Sequence, residues 1–236
     1  MSVFTSVRGN KMVKGIIFDF DGVIVESEPL FLDSVIMYLK RFNITADYSS
    51  TKQLCGMTKT NIVKAMKSAF NLKDDLDKIY SDMVEIEKQV KKVERYQLIN
   101  GVKPFLKKCE QKGIKMAIAS SSDVSFIEAV LKHNEIDKYF SFIVSGQFVE
   151  RSKPDPQIYN IASEKMGIDK KDLIIIEDAY NGILAGVNSK IFTYGLKASI
   201  IEQNTSLADK EVYFYDLRAG YKLFIFKAEI RLRTGA

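Results

Sequence analysis

Gly15-Ile16-Ile17-Phe18-Asp19-Phe20-Asp21-Gly22-Val23-Ile24 is the stretch on which the fold turns. Its short, continuous apolar run is the signature of a parallel strand buried on both faces, not of one that alternates sides. Asp19 then stands at the carboxyl end of that strand, the edge where open α/β sheets bind their ligands. Asp21 follows on a turn that Gly22 lets bend sharply. Two acids this close repel unless a cation lies between them or one keeps its proton. That argues for a metal, and for unlike roles for the pair. Asp-x-Asp-Gly also closes ordinary turns, so the rest of the chain has to decide.

Outward from this strand the pattern changes twice. Ser27 and Glu28 ahead of Pro29 make a helix start. From Leu30 to about Tyr96 only helical spacings appear. Phe31, Val35, Leu39 and Phe42 mark one helix; Ile62, Val63, Met66 and Phe70 mark a second, over 59–70, with Thr58 as its N-cap. Leu76, Ile79, Met83, Ile86, Val90 and Val93 mark a third, with Asp74 and Asp75 at its amino end. These helices read as a lobe inserted after the first strand. After Asn100-Gly101, helices and short apolar strands alternate: helix 102–112 and strand 115–119, helix 123–133 and strand 142–145, a helix after Pro156, and strands at 173–176, 191–194 and 212–215. Such alternation implies βαβ units and a parallel sheet. The expected organisation is a Rossmann-like α/β core, residues 12–28 and 97–236, with a helical cap of residues 29–96. Residues 1–11 show no periodicity, and 221–232 fit a terminal helix or strand equally.

Composition narrows the function. With 46% hydrophobic and 28% charged residues, the chain can bury a sizeable core. Its net charge of +5 is spread without a basic block, which argues against a nucleic-acid partner. No stretch approaches the ~20 apolar residues of a membrane span. The first apolar run is broken by Asp19 and Asp21, unlike a secretory leader. Cys55 and Cys109 are too few for a disulfide framework or a zinc site and suit a reducing compartment. His133, the only histidine, sits near a helix end in a solvated or capping place. The expectation is a cytoplasmic protein, with a cap-and-core monomer as the default.

Polar residues recur just past successive strands: Asp19 and Asp21 after the first, Ser120 and Ser121 after the second, Glu177 and Asp178 after the fourth. Lys153, in Lys153-Pro154-Asp155-Pro156, lies in the loop after the third. In a doubly wound sheet these ends share one edge, so the groups converge. The chemistry that fits is phosphoryl transfer. Asp19 attacks phosphorus; Asp21 protonates the leaving oxygen and then activates water. Ser120 and Lys153 hold the phosphoryl oxygens. Mg²⁺ takes Asp19, the carbonyl of Asp21 and Asp178, with Glu177 as a ligand or supporting partner.

Four segments, Asp19-Phe20-Asp21-Gly22-Val23, Ser120 after an apolar strand, Lys153-Pro154-Asp155-Pro156 and Glu177-Asp178-Ala179-Tyr180-Asn181-Gly182, occur in order between about Lys14 and Gly195. Together they resemble the haloacid dehalogenase superfamily, in the branch holding β-phosphoglucomutase and small sugar-phosphate phosphatases. The resemblance implies a Rossmann-like core, a cap that closes over the site, and the roles just given. The second aspartate in that family marks phosphate chemistry, so Asp21 speaks against dehalogenation. The mutase carries a histidine where Phe31 stands and a cap arginine where Lys59 stands; lysine lacks the bidentate fork. A phosphatase of a small phosphorylated metabolite is therefore expected, ahead of a phosphomutase or a non-catalytic binding protein. Glu28, Thr58 and Lys59 are the cap's candidates for touching substrate.

Overall fold

The computed structural model describes residues 13–54, 57, 59–197 and 204–212. Strand β1 (Gly15–Phe18) is buried along its whole length, as its unbroken apolar run requires. It pairs in parallel with both β2 (Lys115–Ser120) and β4 (Leu173–Glu177), Phe18 standing opposite Ile118 and Ile176. With β3 (Ile143–Ser145), β5 (Phe192–Leu196) and the short edge strand β6 (Lys210–Val212), the sheet order is β3-β2-β1-β4-β5-β6. The chain runs outward through β2 and β3, then returns to the far side of β1. The strand order reverses between β1 and β4, and there the sheet opens a crevice.

Alternate strand residues feed two cores. Ile16 and Phe18 join Met116, Ile118, Ile174 and Ile176 on one face, against α5 (Val102–Gln111) and α6 (Val124–His133). Ile17, Ala117 and Ile175 face the other way, under α7 (Gln157–Met166) and α8 (Tyr180–Asn188). Helices on both faces explain why the strands are apolar throughout.

Between β1 and α5 the described residues form a helical insertion: α1 (Glu28–Lys40), α2 (Tyr48–Thr51), α3 (Lys59–Ala69) and α4 (Leu76–Val90). Helix α4 packs on both α1 and α3. The chain enters and leaves this insertion side by side, Glu26 N–H donating to Gln97 O at 3.0 Å and Ile99 N–H to Ile24 O at 3.0 Å.

Local details depart from the sequence reading. The buried side of α1 is Leu30, Val35, Tyr38 and Leu39, while Phe31 is only partly buried and Phe42 lies past the helix end. Ser27 occupies the α1 N-cap position without a side-chain bond; Asp75 does cap α4, accepting from Lys78 N–H at 2.8 Å. Leu76 is exposed, and Val93 belongs to a separate 3₁₀ turn. The α6 helix begins at Val124, leaving Asp123 at the N-cap position, and His133 is exposed in its last turn. The last strand starts earlier than expected, at Lys210; residues 213–215, like 1–11 and 221–232, lie outside the described residues. Among the described residues no helix is long and apolar enough to cross a membrane.

Candidate active site

Each site group is placed by the end of a strand. Asp19 follows β1, its N–H bound to Ile176 O at 2.9 Å. Past it the backbone folds into a tight turn in which Ile24 N–H bonds Phe20 O at 2.8 Å and Gly22 N–H bonds Val25 O at 2.9 Å. Gly22 has φ +71°, and a Cβ there would fall 2.0 Å from Asp178 Oδ2. Only glycine satisfies both the left-handed backbone and the carboxylate lying against it.

Lys153 is the hub. Its Nζ donates to Asp19 Oδ1 at 2.5 Å, to Glu177 Oε1 at 2.8 Å and to Ala119 O at 3.3 Å, so one ammonium ties together the ends of β1, β2 and β4. The loop that delivers it is held by Arg151 against Asp155 at 2.6 Å and by Gln157 N–H on Asp155 Oδ1 at 2.9 Å. Burial alone would lower the lysine's proton affinity, but the two carboxylates outweigh it and hold the ammonium charged.

Glu177 is enclosed. Besides Lys153, it accepts from Tyr159 O–H at 3.2 Å and Ala179 N–H at 2.8 Å. A Cβ on Gly182 would sit 1.5 Å from its Oε1, so α8 approaches the acid on a bare glycine. Its oxygens are spent on anchoring the lysine and the start of α8.

Asp19, Glu177 and Asp178 each present an oxygen within 4.8 Å of the others, all three buried. Three clustered acids with one lysine, paired to two of them, leave excess negative charge out of water. Burial, then Glu177 and Asp21, push Asp19 up to about 7 even against the pull of Lys153. Burial, then Glu177 and Asp19, raise Asp178 well above the ordinary carboxylate range. A hard cation is what such a set lacks, and carboxylate oxygens are the donors Mg²⁺ selects. The residues fit that ion.

Asp21 stands apart from this cluster. Its Oδ2 accepts from Ser122 O–H at 2.7 Å, and it faces a cavity of about 770 Å³ between the helical insertion and the core. Ser121 and Ser122 line the same wall; Glu28, Phe31 and Lys59 line the insertion side. Ser120 is buried at the end of β2, its Oγ accepting Ser122 N–H at 3.1 Å. Lys59 is held by Glu87 at 3.0 Å. Thr58 lies outside the described residues.

So the structure brings Asp19, Lys153, Glu177 and Asp178 together, while Asp21, Ser121, Glu28 and Lys59 gather around the neighbouring cavity. Ser122, Tyr159 and Glu87 were not foreseen. Ser122 was visible as the third member of a serine run. Glu87 falls on the apolar stripe of α4, eight residues after Ile79, where a carboxylate demands a partner. Tyr159 reads from sequence as an ordinary helical core residue.

Residues 16–196 match the family model described as haloacid dehalogenase-like hydrolase. A phosphorylated carbohydrates phosphatase of Thermotoga maritima is 26% identical over 179 residues, 76% of this chain and 82% of that protein. Hexitol phosphatase B of Escherichia coli is 25% identical over 178 residues, 74% of this chain and 79% of its own length. A crystal structure described as a putative beta-phosphoglucomutase from Thermotoga maritima superimposes with TM-score 0.70 at 25% identity, covering 85% of this chain and 94% of that one.

Proposed function

The chain belongs to the haloacid dehalogenase-like hydrolases, and on that premise we propose that it is a Mg²⁺-dependent phosphatase of a small phosphorylated metabolite, a sugar phosphate. The observation that carries this is the gathering of Asp19, Glu177 and Asp178 within 4.8 Å of one another, with Lys153 paired to the first two, at the edge where the strand order reverses. The relatives named for phosphorylated carbohydrates and hexitols support the substrate class.

An Asp19 carboxylate oxygen attacks phosphorus while the ester P–O bond breaks, and the departing oxygen takes a proton from the Asp21 carboxyl. The Asp21 carboxylate then draws a proton from water, whose oxygen attacks the phosphoryl group on Asp19 and releases inorganic phosphate. Lys153 and Ser120 bind the phosphoryl oxygens, on which charge accumulates. Asp19, Asp178 and the Asp21 carbonyl would hold Mg²⁺, which when bound supplies positive charge against the acids and the phosphoryl oxygens. Glu177 keeps Lys153 in place rather than spending itself on the ion.

We assign residues 29–96 to a cap and 12–28 with 97–236 to the catalytic core. Hydrolysis is favoured over phosphomutase chemistry because Phe31 presents no proton-carrying group to the cavity and Lys59 is paired with Glu87. Phosphate release from a panel of sugar phosphates with Mg²⁺ present tests the reading. Turnover that vanishes in Asp19→Asn is expected; silence of the native chain across the panel would overturn it.

A further inference from the structure

The cavity's far wall carries lysines, which at first suggests a second anion site. Their pairing says otherwise. Lys59, at the start of α3, and Lys91, just past α4, both reach Glu87 Oε2, at 3.0 and 3.4 Å. Lys88 lies 3.5 Å from Glu85. Glu87 itself is buried, its side chain 10% exposed. The wall facing them carries acids, Asp21 and Asp123. Glu87 cancels only one of the two charges it holds, but over the whole lining three lysines meet four acids, Asp21, Glu28, Glu87 and Asp123, so a second phosphate finds no surplus positive charge to offset its lost hydration.

We propose that Glu87 sets the charge of the substrate the cavity accepts: by holding Lys59 and Lys91 and cancelling one of their two charges it tips the lining away from net positive and confines the site to monophosphates whose far end is uncharged, a hydroxyl-rich chain or ring. This rests on the phosphatase reading and adds its substrate class. Specificity of this kind works by exclusion, leaving the competitor without a counter-charge. The side chains of Lys59 and Lys91 are 36% and 44% exposed. Neutralising Glu87 therefore frees two hydrated cations toward the cavity instead of stranding them in apolar surroundings.

The test compares monophosphate and bisphosphate partners, fructose 1-phosphate with fructose 1,6-bisphosphate and glucose 6-phosphate with glucose 1,6-bisphosphate, using the full chain with Mg²⁺. The native protein should favour the better monophosphate over its bisphosphate at least tenfold in kcat/KM. Glu87→Gln should cut that preference at least tenfold through a lower KM for the bisphosphate, leaving monophosphate kcat within about threefold. A Glu87 that merely staples α3 to α4 would lower both substrates alike and leave the ratio unchanged, which would overturn the proposal. Should the variant fold poorly by circular dichroism, the native ratio decides: a bisphosphate handled as well as its monophosphate overturns the proposal. Absence of phosphate release from every compound strikes the phosphatase reading; an unchanged ratio with activity intact strikes only this inference.

Discussion

Replacing Asp19 by asparagine should abolish turnover and yet stabilise the protein in EDTA at pH 8. The carboxyl is buried beside Glu177 and Asp21 and pushed from an ordinary 3.8 to about 7. The folded chain therefore holds a proton there that the unfolded chain has released. That stabilisation is complete below pH 4 and is lost as pH rises to 7 and beyond, where ionised Asp19 must stay among other acids. At 1.36 kcal/mol for each tenfold change in proton affinity, the loss is about 4 kcal/mol. Asparagine keeps the shape of the neutral form and escapes the penalty. Lys153 retains Glu177 at 2.8 Å, so the substitution does not orphan the ammonium. A domain of this size gains about 2–4 °C in Tm per kcal/mol, so the variant should melt on the order of 10 °C above the native chain at pH 8. The two should melt together near pH 4. Added Mg²⁺ should narrow the gap by binding the native acids. Calorimetric scans at both pH values, with EDTA and with Mg²⁺, check this. A variant less stable than the native chain by the same amount at both pH values would refute the reasoning, because the cost would then be packing rather than charge.

Three further outcomes follow from particular contacts. Ser122→Ala removes the 2.7 Å bond to Asp21; a bond to a charged group is worth about 1.5–3 kcal/mol, so kcat on an alkyl phosphate should fall on the order of tenfold or more. The fall should be smaller on p-nitrophenyl phosphate, whose leaving group needs no acid, and steady-state kinetics on both compounds reads the difference. Gly182→Ala drives a methyl into the Glu177 carboxylate, dislodging the anchor of Lys153; urea unfolding should show a loss of about 1–3 kcal/mol, with phosphate release strongly reduced. Cys109 is fully buried, and burial pushes its thiol up to about 12. In a Cys55→Ser background it should react with Ellman's reagent only as fast as the protein opens, and at once in denaturant.

Much of this protein is written in short-range pattern. The unbroken apolar run at Ile16–Phe18 required a strand covered on both faces, and the polar residues placed after successive strands implied one shared edge. The stripe Ile79, Met83, Ile86, Val90 required a helix packed on others. These features depend on neighbours a few positions apart, so sequence alone determined them. Partnership between distant side chains is different, because spacing along the chain says nothing about distance across it. That Glu177 is absorbed by Lys153, Tyr159 and the α8 amide, that Ser122 holds Asp21, and that Glu87 is shared between Lys59 and Lys91 were decided only by the tertiary structure. Buried charge costs too much to stay unpaired, and which partner meets it depends on where folding brings each chain segment.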